Sequence, residues 1–308
     1  MASKERDDQV RVFLWALPRS VSTAMTKCMS FVDEAQIWFE PYLYSYHNEK
    51  FRDPAFLQKF AASKKGSVME KVMKEMKPVL EATPRGNRLD NDLFEFPWVK
   101  TQLENEDSEK KVIFVKDMAH VLNQRYEHLP IATSKFRHTF LIRDPHRMYP
   151  SFRKMMGVML SEDEKETMDI TKEDEFYDTE QIYKYTYDLW KYTKENLDPD
   201  ALIIDGTELT THPEKLLPKY FEALGIPYKA EYLQWDENPE ILIQWKASFE
   251  SLVGAYLANV IKSAAHSTHF IPEAGEAPSR ESLTPDIIKC IDASLPYYKE
   301  MFEHRIKP

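Results

Sequence analysis

Residues 10–29, VRVFLWALPRSVSTAMTKCM, decide how the rest of the chain is read. Val10, Val12, Phe13, Leu14 and Trp15 form the short β-branched and aromatic run expected of a central parallel strand, buried on both faces. Pro18 ends it. Ser20, Val21, Ser22 and Thr23 then open a helix, where hydroxyls, unpaired backbone N–H groups and the helix dipole together favour an anion. The turn has no glycine and no Gly-Lys-Ser/Thr, so it is not a Walker A loop, and Arg19 is its only cation. A capped helix beside an incidental arginine would give the same pattern, so the motif needs support from elsewhere in the chain.

Working outward, Ala35 to Glu40 reads as a second strand stopped by Pro41, followed by an alternation of Tyr42, Tyr44 and Tyr46. Residues 53–80 have the spacing of one or two amphipathic helices. Lys111 to Lys116, KVIFVK, is the next strand, and it delivers Lys116, Asp117 and His120 to its carboxyl end. Phe136 to Ile142 is the fourth. The restriction on the residue before Pro150 puts the following helix start at Pro150, with Ser151 in its first turn, so that Arg143 and Ser151 converge on one anion. Further helices are expected over Ile182 to Leu197, from Pro213 to near Gly225, over Phe249 to Ile261, and from about Thr284 to Glu303, with a fifth strand at Ala201 to Asp205 and a loop over 266–278. Strands alternating with helices predict an α/β fold: a doubly wound, mostly parallel sheet of about five strands with helices on both faces. Ligands belong along its carboxyl edge.

At 308 residues with 43% hydrophobic content the chain can bury a full core, and we expect one domain over 1–308 with a polar tail at 1–9. The start MASKERDDQV is charged and no apolar run approaches the length of a membrane span, so neither a signal peptide nor a membrane partner is expected. Cys28 and Cys290, the only cysteines, suit a reducing, cytoplasmic setting and disfavour a cysteine-based metal site. The net charge of −10 is uneven: residues 161–180 hold ten acidic side chains against Lys165 and Lys172. Such a surface repels nucleic acid and sulfated polysaccharide, and it reads as a solvated insertion or a lid over an acceptor.

Three separated segments, in order, resemble sulfotransferases that use 3′-phosphoadenosine 5′-phosphosulfate (PAPS), enzymes of P-loop-like architecture. Pro18 to Thr23 resembles their 5′-phosphosulfate loop. Arg143-Asp144-Pro145 through Ser151 resembles the 3′-phosphate motif, whose Arg and Ser stand eight positions apart as they do here. Ile204 to Ile226 resembles the family's strand-turn-helix, and the Pro-Arg-Ser-x-Ser-Thr-Ala start with Lys116 to His120 looks most like the subgroup found beside branched-chain aminotransferase-like proteins.

The resemblance implies sulfuryl transfer from PAPS to a hydroxyl or amine of a small acceptor, giving 3′,5′-ADP with no metal. Arg19 would stabilise charge on the leaving phosphate with Ser20, Val21, Ser22 and Thr23, and Arg143 and Ser151 would hold the 3′-phosphate. For the acceptor's proton the strand ends offer Glu40, Asp117 and His120, of which the resemblance ranks Glu40 first and His120 second, while Lys116 stabilises charge. The alternative for Glu40 is a cap or an ion pair with Arg19. Tyr42, Tyr44, Phe94 and Trp98 either pack as core, the commoner meaning of such a stripe, or line an aromatic pocket with an acidic rim suited to neutral or cationic acceptors. Ala24 and Gly206 stand where the cytosolic branch carries aromatics near the adenine, and its C-terminal Arg-Lys-Gly is missing, with Lys246, Lys262 and His266 as loose substitutes. A P-loop kinase, which would lack its loop lysine, and a non-catalytic nucleotide-binding protein are the competing readings.

Overall fold

The computed structural model describes residues 9–56, 58, 88–89, 94–105, 109–172, 178–238, 241, 244–248, 260–273 and 275–308. Nearly all of the helices expected over 53–80, and most of the one expected over 249–261, lie outside the described residues.

Five strands form one sheet: β1 (Val10–Ala16), β2 (Ala35–Phe39), β3 (Val112–Asp117), β4 (Phe136–Ile142) and β5 (Leu202–Asp205). Their spatial order is β2-β3-β1-β4-β5, and all four pairings are parallel. β1 is buried from Arg11 to Ala16 because its alternate residues enter two different cores. Phe13 and Trp15 join Val115, Phe140, Leu189, Trp190 and Ile291 on one face, whereas Val12 and Leu14 join Met25, Cys28, Leu141, Leu217 and Phe221 on the other. The fold is therefore the doubly wound α/β class, with helices on both faces of a parallel sheet. β1 sends its connection toward β2, while its neighbour β4 sends its own toward β5. Their carboxyl ends thus form the switch point where such sheets open a crevice.

The helices that carry site residues start at these strand ends. α1 (Ser22–Met29) follows β1, and α2 (Pro41–Arg52) follows β2. The tyrosine alternation after Pro41 predicts no helix, yet Tyr42, Tyr44 and Tyr46 lie within α2. Pro41 occupies its first turn, where a missing N–H costs nothing, and the cap comes from β3: Asp117 accepts the N–H groups of Tyr42 (2.6 Å) and Leu43 (3.1 Å), some 75 positions away in sequence. α3 (Phe96–Asn105) packs on α2.

α4 (Pro145–Met156) follows β4 and corrects a second expectation, since Pro150 lies inside the helix rather than at its start. Pro145 at the first position and the Asp144 side chain accepting the His146 N–H (2.9 Å) make the earlier start favourable, and Pro150 then removes one intrahelical bond. Beyond it come α5 (Ile182–Asn196), α6 (Gly206–Thr211), α7 (Pro213–Leu224, closed by Gly225 at φ 71°) and α8 (Pro285–Glu303).

Part of the acidic segment is fastened down. Arg153 of α4 donates to the carbonyls of Lys165 (2.9 Å) and Met168 (2.8 Å), and Asp286 at the start of α8 accepts the Ile170 N–H (3.0 Å). Met168 and Ile170 are buried, leaving the charged turn Glu162–Thr167 exposed. No helix among the described residues is long and apolar enough to cross a membrane.

Candidate active site

The turn after β1 is held by its own backbone. Leu17 donates its N–H to the Leu141 carbonyl (3.1 Å), and Ser20 Oγ donates back to the Leu17 carbonyl (2.6 Å). Arg19 (φ 57°) and Val21 (φ 62°) both sit in the left-handed region, which is costly for a non-glycine and most so for a β-branched residue. Each such residue costs about 1–3 kcal/mol, a strain that persists only where the surroundings enforce it. The result is a tight turn delivering Ser22 and Thr23 to the first turn of α1, which no side chain caps. Its free N–H end faces the carboxyl edge of the sheet, where an anion would be favoured.

Three separated segments meet at this turn. Arg19 Nε donates to Ser151 Oγ of α4 (3.0 Å), and Arg143, at the end of β4, donates Nη1 to the Arg19 carbonyl. Tyr183 of α5 fixes the Arg143 backbone by donating to its carbonyl (2.6 Å). Burial first, then repulsion from Arg19 and Arg147, pushes the Arg143 guanidinium down to about 10, still a cation at neutral pH. Because α4 begins at Pro145, Arg147 and Ser151 stand four apart within it and share one face, and Arg143 lies just before the helix. Arg147 was missed by the sequence reasoning, and only the earlier helix start exposes its register with Ser151. Glu273 was also missed: its carboxylate pairs with Arg143 and lies 3.1 Å from Arg147 Nη1. No local signal points to it.

Gly206, opening α6, closes the fourth side. A Cβ built on it would stand 2.9 Å from the Ser20 carbonyl oxygen and 3.3 Å from that of Ile142, so only glycine allows α6 this close to the turn. Gly206→Ala should therefore push against backbone, costing about 1–3 kcal/mol of stability. Chemical denaturation checks this, and an unchanged midpoint would mean that the turn yields freely. Asp205 just before it caps α6 through the N–H groups of Thr207 (2.9 Å) and Glu208 (3.1 Å), and burial raises its carboxyl to about 6.

A second cluster occupies the carboxyl ends of β2 and β3. Glu40, at φ 56°, donates its N–H to the Lys116 carbonyl (2.7 Å) and pairs its carboxylate with Lys116 Nζ. Both side chains are buried, at 7% and 3% exposure, and the ammonium also stands 5.1 Å from the centre of the Phe39 ring. The ion pair of Glu40 is thus with Lys116 rather than Arg19. His120 lies in the turn Ala119–Leu122 after β3, and burial, then repulsion from Lys116 and His47, lowers it to about 3, which keeps the ring neutral. Asp117, the third candidate base, serves as a cap: besides the two α2 amides it accepts the Met118 N–H (2.8 Å), and burial raises its carboxyl to about 7.

Of the two readings of the aromatic residues, packing prevails. Tyr42 is fully buried, donates its hydroxyl to the His128 carbonyl (2.7 Å) and stacks on Phe13, Trp15 and Phe96, which makes it core. Tyr44 and Phe94 meet edge to face at 4.9 Å, both buried, and Trp98 is partly exposed against them. Lys246 does not reach the arginines: its backbone bridges β2 through Ile37 and Phe39, and its ammonium lies over Trp38, with β3 and β1 between it and β4. His266 pairs with Glu237, and the side chain of Lys262 is outside the described residues. Among the described residues no group of three or more His, Cys, Asp or Glu could hold a metal ion. A cleft of about 590 Å³ lined by Phe31, Tyr232, Trp235 and His269 lies past the C-terminal end of α1, and none of the residues discussed above line it.

No family model matches the chain, and no curated protein does. Solved structures do. The sulfotransferase domain from the curacin biosynthetic pathway aligns at 14% identity and TM-score 0.44, covering 99% of this chain and 100% of that one. A mouse sulfotransferase complexed with PAP aligns at 11% identity and TM-score 0.41 over 96% of this chain and 84% of that one. A sulfotransferase from Mycobacterium avium aligns at 13% and 0.43 over 96% and 76%. Likenesses at these TM-scores carry no functional argument, which rests instead on the chain's own residues.

Proposed function

We propose that this chain is a cytoplasmic PAPS-dependent sulfotransferase that transfers a sulfuryl group to a hydroxyl or amine of a small neutral or cationic acceptor. The observation that carries this reading is the convergence of Arg19 with Arg143 and Ser151, from two segments far apart in sequence, beside an uncapped helix start at the switch point of the sheet. In the reaction a bond forms from the acceptor oxygen or nitrogen to sulfur, the bond from sulfur to the 5′-phosphate oxygen breaks, and 3′,5′-ADP leaves. This chain's share is positioning and charge stabilisation: Arg19 and the α1 amides at the 5′-phosphate, Arg143 and Ser151 at the 3′-phosphate, and Lys116 beside the acceptor. Glu40 takes the acceptor's proton, and its fixed place next to Lys116 keeps the carboxylate ready to do so.

The test is calorimetry with 3′,5′-ADP and adenosine 5′-phosphosulfate. Arg143→Ala should weaken 3′,5′-ADP by about 10–150-fold, the loss of a charge-assisted contact, with Ser151→Ala in the same direction, and adenosine 5′-phosphosulfate should be little affected. Equal losses for both ligands would overturn the assignment. Tighter binding of ATP with magnesium than of 3′,5′-ADP would favour a kinase, which the missing loop lysine argues against.

A further inference from the structure

The chain itself fills the Arg143 and Arg147 seat. Glu273 pairs with both guanidinium groups, and the three side chains are only 12–17% exposed. The fit is incomplete. Arg143 Nε has no acceptor among the described residues, and Glu273 Oε2 accepts no well-formed hydrogen bond. Two arginines against one carboxylate also leave a surplus positive charge. A planar carboxylate offers two oxygens, whereas a phosphate monoester offers three terminal oxygens and up to two negative charges. The seat therefore suits a phosphate better than the group now in it.

The segment bearing Glu273 is firm at its base, and its tip is held through the two arginines. Lys27, buried in α1, donates to the carbonyls of Ala265 (2.6 Å) and Ser267 (2.8 Å), Trp235 Nε1 donates to the Ser267 carbonyl (2.7 Å), and Phe270 is buried. Beyond that point, residues 270–278 make no backbone-to-backbone hydrogen bond among the described residues, and Ile271 is 60% exposed. What fastens the tip is Glu273 on the two arginines and Arg147 Nη2 on the Gly275 carbonyl (2.8 Å).

We propose that Glu273 is a tethered competitor for this seat, held there in the absence of donor and displaced when the donor's 3′-phosphate takes both Arg143 and Arg147. Arg147 is then a second cation for that phosphate. The exchange swaps one anion for another on the same two cations, and the tip lets go because its main fastening is the pair that is lost. This inference rests on the sulfotransferase reading, and two ligands separate its failure from that of the reading itself.

Binding of 3′,5′-ADP and of 5′-AMP is measured by calorimetry for the wild type and Glu273→Gln. With the competing charge removed, 3′,5′-ADP should bind about tenfold more tightly, as expected when a seat that is mostly occupied becomes free, and 5′-AMP should be unchanged. A preference for 3′,5′-ADP that is equal in the two proteins, or weaker in Glu273→Gln, would overturn the competitor. No preference for 3′,5′-ADP over 5′-AMP in either protein would overturn the seat as a 3′-phosphate site. Should Glu273→Gln fail to fold, amide exchange in the wild type decides: saturating 3′,5′-ADP should speed exchange over residues 270–278, and slowed or unaltered exchange overturns the proposal.

Discussion

Glu40→Gln is expected to lower turnover by about 10²–10⁴-fold, the contribution typical of a positioned general base, while leaving the affinity for 3′,5′-ADP unchanged. Glutamine keeps the size of the side chain and can still accept from Lys116, so the helix start at Pro41 and the left-handed Glu40 backbone remain in place. What is lost is the capacity to take a proton. The readouts are steady-state rate and calorimetric affinity on the same preparation. If Glu40→Gln turns over normally and His120→Ala abolishes turnover with 3′,5′-ADP binding intact, the proton goes to His120 instead. The low proton affinity that burial and Lys116 impose on His120 argues against that outcome, since an imidazole lowered to about 3 is a weak base.

Lys116→Met is expected to be the most destabilising single change at the site, by about 3–5 kcal/mol, because it strands the Glu40 carboxylate in a buried position without its cation. The double variant with Glu40→Gln should regain much of that loss, since a neutral amide tolerates the same burial better than an unpaired charge. Denaturant titration of both singles and the double gives the coupling directly. A Lys116→Met penalty no larger than 1 kcal/mol would mean that the pair is solvated and that Glu40 does not depend on it. Turnover of the double, if it folds well, should stay low if Glu40 is the base, as proposed.

The meeting of Arg19 with Arg143 and Ser151 was largely legible in the sequence because its determinants are local. A β-branched run ending in Pro18, a hydroxyl-rich helix start, and an arginine at the end of another such run are each written in consecutive residues. The cluster at the ends of β2 and β3 was less legible. Asp117, Glu40 and Lys116 stand at the ends of adjacent strands, and which of them caps, pairs or takes a proton depends on the register of β2 on β3, which aligns Phe39 with Lys116. Tyr42 shows the same limit: an aromatic beyond a strand end lines a pocket if the chain stays extended, but belongs to the core once Asp117 turns that segment into a helix.

By itself, then, the sequence determined the alternation of strands and helices, the parallel doubly wound sheet and the placing of Arg19 and Arg143 just past strand ends at its carboxyl edge. These follow from hydrophobic periodicity and local backbone restriction. Only the tertiary structure decided that α4 starts at Pro145 and brings Arg147 into line, that Glu40 belongs to Lys116, and that Glu273 sits on the arginines. The reason is physical: a cap, a buried ion pair and an internal counter-ion are each completed by a group far away in the chain, and no local pattern encodes which distant group folding will bring there.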